Sequence, residues 1–291
     1  MDDRKLEVLL AAVRTGSFSK ASEELNCTQS AVTQTINSLE NELNLKLLER
    51  NHRGIKLTES GEQLYPYIVD TERSLRQLKE QSERISSGKT IPLRIGSFSS
   101  ISSTWLPKRI QEYQKKHPDI SFDLRIGTDD LAELLLTGDV DLAIGDRMRL
   151  HAFRWYPLMD DPYYAVLPVG MTKASSITQT ELASYPFIMA PLNALERYLS
   201  VIPKDQLSIS CDNDATLISM VSQGLGVTAI PELCLEFDHP PVDILELTPP
   251  VKREIGIALP NTPTREAQAF TKYLRDYFQN HSTIQNSINL Q

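Results

Sequence analysis

At 291 residues the chain exceeds one typical domain, and 41% hydrophobic with 23% charged residues is the profile of folded protein, which excludes disorder. The acidic opening does not read as a signal peptide and no run approaches the roughly 20 apolar residues of a membrane span, so the expected location is cytoplasmic. The formal net charge of -8 speaks against nucleic acid, yet residues 1–60 hold eight bases against nine acids, 8 - 9 = -1, with Arg50, Arg53 and Lys56 clustered near His52.

Leu6, Leu9, Leu10 and Val13 follow the i, i+3, i+4, i+7 spacing of a first helix, which Thr15-Gly16 ends. Ser19 is placed to cap a second helix, with Ala21 and Leu25 inward and Phe18 stapling the entry. After the turn Asn26-Cys27-Thr28, Thr28 can cap a third helix over residues 29–43 with Val32, Ile36 and Leu39 inward. Helix, short turn, helix is a helix-turn-helix arrangement. Its outer face carries Gln29, Ser30, Thr33, Gln34 and Asn37 beside Thr28, short or planar polar groups suited to base edges. A solvated helix shows a polar face too. The turn before it and the basic segment after it favour DNA. Residues 46–49 and 55–58 read as a hairpin, a wing in which Gly54 is free to take positive φ and Arg50, His52 and Arg53 can lie along phosphates or in the minor groove.

The run from Gly16 to Gly61 resembles the winged helix-turn-helix signature of the LysR family of transcriptional regulators. Ala21, Gln29, Ala31, Leu39-Glu40, Leu48-Glu49-Arg50 and Leu57-Thr58-x-x-Gly61 carry the match. Ser30 stands where the family commonly has Pro, and Gln34 where it commonly has Arg, so no operator sequence is carried over. The resemblance implies double-stranded DNA and RNA polymerase as partners.

Thr58 can cap a long helix to about residue 85, along which Leu64, Ile68, Thr71, Leu75, Leu78, Ser82 and Ile85 alternate by four and three. Leu64, Ile68, Leu75, Leu78 and Ile85 are the expected dimerisation residues, giving a homodimer or homotetramer. Packing of this stripe on the chain's own domain is the competing reading. Ser86-Ser87-Gly88-Lys89 reads as a hinge, which sets residues 1–60 as the DNA-binding domain, 61–90 as linker and 91–291 as a third unit.

From residue 91 strands and helices alternate. Strands are expected at residues 93–96, 120–126, 141–144, 154–158, 164–167, 187–190, 209–211, 227–230 and 253–259, with helices to 116, over 129–136 and over 264–280. The pattern reads as parallel α/β in two lobes, the last helix returning to the first. Leu93-Arg94-Ile95-Gly96, Leu106-Pro107, His117-Pro118, residues 138–144 and Gly224-Leu225-Gly226-Val227 with Pro231 resemble the family's effector domain. That resemblance implies the type 2 fold of periplasmic solute-binding proteins: two α/β lobes joined by crossing strands.

A ligand between such lobes meets strand ends and helix starts. Ser99, Ser100 and Ser102 open one helix and Thr128 the next, and these hydroxyls are expected to bind a small carboxylate-bearing effector. Asp146 follows the third strand, where some aromatic-acid-sensing relatives carry a base; a carboxylate there suits an amino group and so an amino acid-like effector. Pairing of Asp146 with Arg147 or Arg149 is the plainer alternative. No other cofactor is expected, nor a metal: Cys27, Cys211 and Cys234 are far apart and show neither CxxC nor zinc-ligand spacing. The five histidines are scattered, with no GxSxG, HExxH or phosphate-binding glycine loop, so an enzyme is not expected. A thiol redox regulator acting through Cys211 and Cys234, and a solute-binding protein, are the two alternatives.

Overall fold

A computed structural model describes residues 2–51, 54–87, 92–127, 130–189, 207–211 and 213–288. Helix α1 (Asp3–Thr15) starts on Asp2, whose carboxylate accepts the Lys5 N–H, and stops at Gly16 with φ +62°. Helix α2 (Phe18–Glu24) is capped by Ser17, whose hydroxyl accepts the Lys20 N–H. The expected cap, Ser19, already lies inside the helix: a cap needs extended backbone, which Ser17 has and a helical residue does not. Phe18 is accordingly a buried first-turn residue, and Ser19 donates instead to Gln29 Oε1 at 3.1 Å. Helix α3 (Gln29–Leu43) begins on Thr28, as expected, and ends at Asn44 in the left-handed region. Leu6, Leu9, Ala21, Val32, Ile36, Leu39 and Leu47 form the core beneath.

Strands β1 (Leu48–Asn51) and β2 (Gly54–Leu57) make the wing, with Arg50 opposite Ile55. Gly54 has φ +123°, and a Cβ there would stand 2.6 Å from the Gly16 carbonyl oxygen, so the wing lies directly on the end of α1. Buried Glu40 holds its other side. One carboxylate oxygen accepts the Leu47 and Leu48 N–H groups at 2.8 and 3.1 Å, and the other accepts Lys46 Nζ at 2.6 Å. Burial opposes that charge, but the Lys46 ammonium and the two amides outweigh it and hold the carboxyl below its ordinary range.

Helix α4 (Glu59–Ser87) starts where Thr58 Oγ1 accepts the Gly61 N–H at 3.0 Å. A Cβ on Gly61 would fall 2.2 Å from the Leu47 carbonyl oxygen, which explains a glycine inside a helix. Ser86 and Ser87 of the expected hinge still belong to α4, and Gly88 and Lys89 lie outside the described residues. The apolar seam of α4 divides. Ile68 is buried in the chain's own N-terminal core, and Leu64 and Leu75 pack against it, whereas Leu78 and Ile85 are 67% and 78% exposed. Ile68 is therefore corrected from a partner-facing to an intrachain contact, since a side chain already covered gains little from a second helix, whereas Leu64 and Leu75 are only partly covered.

The C-terminal half comprises β3 (Leu93–Ser97), α5 (Ser99–Ser103), α6 (Leu106–Lys116), β4 (Phe122–Ile126), α7 (Leu131–Thr137), β5 (Leu142–Asp146), β6 (Arg154–Leu167), β7 (Ser176–Thr178), α8 (Gln179–Leu182), β8 (Phe187–Met189), β9 (Leu207–Ser210), α9 (Asp214–Ser222), β10 (Thr228–Pro231), β11 (Asp243–Thr248), β12 (Lys252–Leu259) and α10 (Arg265–Ile288). The sheet runs β4-β3-β5-β12-β6-β11-β7, with β10 also on β6. Parallel pairing holds for β4-β3-β5, β7-β11 and β8-β9, but β12 and β6 are antiparallel to their neighbours, so the sheet is mixed rather than parallel.

Strand β6 joins the lobes. Its first part pairs with β12 and its last five residues with β10 and β11, so the two strands expected at 154–158 and 164–167 are one. Of its two prolines, only Pro162 lies in the gap between them. Pro157 sits at the bulge where the β12 register shifts, and Pro162 where β6 changes partners, the places where a strand tolerates a residue without N–H. The second crossing is the passage from β11 to β12. Lobe one buries Ile95, Leu131, Ile144 and Ile257, with Phe270 and Leu274 of α10 returning to it as expected. Lobe two has two clusters, around Phe187, Val227 and Leu245 and around Val166, Leu217 and Ile230. The linker helix is fastened to lobe one: Arg73 donates to the Leu135 and Leu136 carbonyls and Arg76 to that of Thr137, capping the end of α7, while Arg94 joins Glu80 of α4 to Asp141.

Candidate nucleic-acid interface and ligand site

The outer face of α3 forms one open surface, on which Gln29, Ser30, Thr33, Gln34, Asn37, Ser38, Asn41 and Glu42 are neighbours, with the Thr28 cap at its start. Thr28, Gln29, Ser30, Gln34 and Asn37 are exposed and Thr33 is half-buried. Some of these groups are held in place: Thr28 and Ser30 share a hydroxyl contact of 2.9 Å, and Thr33 donates to the Gln29 carbonyl at 3.0 Å. Gln34 and Asn37 make no side-chain hydrogen bond among the described residues and keep their donors and acceptors available. Of the wing bases, His52 and Arg53 and the side chain of Arg50 lie outside the described residues, and Lys56 is paired with Glu49 at 2.8 Å.

The expected effector residues fall into different situations. Ser99 is exposed, and Thr128 lies outside the described residues. Ser102 turns inward to Ser97, hydroxyl to hydroxyl at 2.7 Å, which fastens the loop rather than presenting a donor. Ser100 is buried and its Oγ accepts Arg253 Nη2 at 3.4 Å. Helix α5 is only five residues long, so what its start offers is hydroxyls more than a dipole. Asp146 ends β5, is buried, and accepts the Met148 N–H on Oδ1 at 2.7 Å. Burial pushes its carboxyl above the ordinary value, against the pull of that amide and of Arg253. At 5% exposed, Asp146 is not the solvated surface partner of Arg147 or Arg149 that the plainer alternative supposes.

Sequence reading missed the charged centre of this region. Arg253 of β12 grips Asp161 of β6, Nε and Nη2 lying 2.8 and 2.7 Å from Oδ2, while Asp161 Oδ1 accepts the Leu233 N–H of lobe two at 3.1 Å. Asp161 is completely buried; burial drives its carboxyl up, and Arg253 and the Leu233 amide pull it back. Phe98 lies under two guanidinium groups, 5.3 Å from Arg253 and 5.9 Å from Arg149. Tyr163 stands nearby, kept neutral by burial. The pair joins residues 92 positions apart, beyond any local pattern. The one available signal was an Asp in an otherwise apolar stretch, which when buried needs a cation.

Cys234 is buried and donates to Asp214 Oδ2 at 3.1 Å, and burial first, then the neighbouring carboxylate, pushes it up and keeps it protonated. Cys211 is half-buried, and neither forms a disulfide. Among the described residues no helix is long and apolar enough to cross a membrane.

Two family descriptions match this chain: bacterial regulatory helix-turn-helix protein, lysR family, over residues 4–62, and LysR substrate binding domain over residues 87–279. A probable HTH-type transcriptional regulator of Synechococcus elongatus, LrrA, is 30% identical over 270 residues, 89% of this chain and 90% of its own length. The HTH-type transcriptional regulator GltR of Bacillus subtilis is 31% identical over 244 residues, 79% of this chain and 80% of its own. Among solved structures, a full-length OxyR variant from Pseudomonas aeruginosa superposes with TM-score 0.62 at 21% identity, covering 94% of this chain and 95% of that one. Full-length BenM does so with TM-score 0.55 at 22% identity, covering 97% and 98%.

Proposed function

Since the chain belongs to the LysR family of transcriptional regulators, we propose that α3 reads the operator in the major groove and that a small carboxylate bound between the lobes controls the outcome. The observation that supports the first half is the Thr28-capped helix with an unbroken polar outer face, ending in Gln34 and Asn37 with unused amides. Planar amides pair bidentately with adenine, and each such contact is worth about 1–3 kcal/mol of discrimination. Arg50, His52 and Arg53 of the wing supply phosphate contacts, which carry affinity but no sequence information.

Gel-shift titration at two salt concentrations separates these roles. Gln29→Ala, Thr33→Ala and Gln34→Ala should each weaken operator binding by roughly 1–3 kcal/mol and leave random DNA unchanged. Arg53→Ala should weaken both and flatten the salt dependence. Equal operator affinity for all three helix variants and the wild type would remove α3 as the reader.

The second half rests on Ser100 touching the Arg253–Asp161 pair where the two lobes join, with buried Asp146 on the same sheet face one strand away. Ser99 and Thr128 complete the proposed rim. A ligand there shifts the arrangement of the lobes only as far as it prefers one arrangement over the other. The chain acts as a homodimer or a dimer of dimers on an interrupted palindrome, and the altered spacing or bend of the bound DNA changes access of RNA polymerase. The thiol alternative is disfavoured by Cys234, whose buried, protonated sulfur lacks the thiolate character of a redox sensor. A solute-binding protein would have no use for the winged helix.

A further inference from the structure

Arg253 and Asp161 face each other in the β12–β6 register, and Ile255 faces Asp146 across β12–β5. Cross-strand partners and residues two apart share a sheet face, so Arg253, Asp161 and Asp146 project to one side. Diagonal antiparallel neighbours such as Arg253 and Asp146 stand roughly 7–8 Å apart. The two feel each other's charge but form no ion pair, because Arg253 is engaged by Asp161.

Each retains unused capacity. The Arg253 side chain is 10% exposed, and its Nε and Nη2 serve Asp161 and Ser100, leaving Nη1 without an acceptor among the described residues. Asp146 is 5% exposed, and only Oδ1 has a donor among the described residues. Ser100 accepts from Arg253 and keeps its own O–H to give. A buried guanidinium edge and a buried carboxylate oxygen that do not reach each other carry a desolvation cost that a bridging ligand relieves. A dianion would meet the buried Asp146 carboxylate directly, whereas a dipolar ligand offers that carboxylate a cation.

Resting on the interlobe reading above, we infer that the effector is an α-amino acid, its carboxylate held by Arg253 Nη1 and the Ser100 hydroxyl and its ammonium by Asp146 Oδ2, over the Phe98 ring. Asp161 is a positioning residue: it fixes the guanidinium so that only one edge faces the ligand, and its bond to the Leu233 N–H ties that edge to lobe two.

The test is a thermal-shift screen of the full chain, followed by calorimetric titration, with the twenty proteinogenic L-amino acids and with the matching carboxylates that lack the amino group. A ligand of the folded state raises its melting temperature. One or a few amino acids should bind, and the amino-free analogue at least tenfold more weakly. Asp146→Asn should weaken the amino acid at least tenfold and leave the analogue as weak as before. Arg253→Gln strands Asp161 and can unfold the chain; Arg253→Lys keeps a cation for Asp161, loses the fork, and should weaken both ligands. If the analogue binds as tightly as the amino acid and Asp146→Asn alters neither, the zwitterion assignment falls while the interlobe carboxylate site stands. If nothing in either set binds, or binding survives both substitutions, both readings fall.

Discussion

Asp146 is placed where a carboxylate costs free energy. Its pKa in the folded chain lies above the ordinary value of 3.8, mainly through burial. A raised pKa means that the group supports the fold below its unfolded value, when protonated, and that this support is lost as the pH rises through the folded value. At neutral pH ionised Asp146 is thus a liability in the unliganded protein. Asp146→Asn retains an acceptor for the Met148 N–H and should raise the melting temperature at about pH 7, with the gain shrinking to nothing near pH 4. Melting curves across that range decide it. A variant less stable than wild type at neutral pH would mean that the carboxylate is already compensated in the unliganded state. Glu40 shows the opposite arrangement: equally hidden from water, it has three donors and its pKa is lowered. Glu40 receives an ammonium and two amides, whereas Asp146 receives one amide and faces the carboxylates of Asp161 and Glu254, which push it further up.

Helix α4 serves two partners along its length. Its N-terminal half is part of the winged-helix core through Ile68 and Val69. Its middle caps α7 of lobe one through Arg73 and Arg76, which fastens the helix that carries the winged-helix unit to that lobe. What remains for a second copy is the exposed stripe with Tyr67, Leu78 and Ile85. Leu78→Glu combined with Ile85→Glu should therefore break the dimer without unfolding either unit, because neither side chain belongs to a core. Sedimentation velocity with circular dichroism checks both parts. A folded double variant that remains dimeric would move the interface to another element. Substituting Ile68 would not make this test, since loss of the winged helix would look the same.

At the scale of the whole molecule, what was legible in the sequence followed the range of the interactions involved. The winged helix could be read because its caps and periodicities are local: Thr28 and Thr58 cap the helices assigned to them, and Gly16 and Gly54 stand at the turns that need them. The seam of α4 was legible as a pattern but not as a contact, because Ile68 and Ile85 look alike in sequence and differ only in what the tertiary fold lays over them. Strand β6 reads as two in the sequence, with Pro162 in the gap, because a missing N–H is harmless in a strand only at a bulge, as at Pro157, or at a change of partner, as at Pro162. The proposed ligand region was half visible: Ser100 and Asp146 lie at strand ends that local pattern marks, but Arg253 and Asp161 meet only when both crossing strands are in place. If this junction governs the reading of DNA by α3, a ligand held there must change how the chain sits on its operator. Footprinting of the full chain on the DNA upstream of its own gene, with and without the amino acid found in the screen, tests it most directly. The ligand should change the extent of protection or the hypersensitive sites of a bend, and Asp146→Asn should keep the unliganded footprint but lose the change; a footprint that the bound ligand leaves unaltered would mean that the junction does not govern DNA reading.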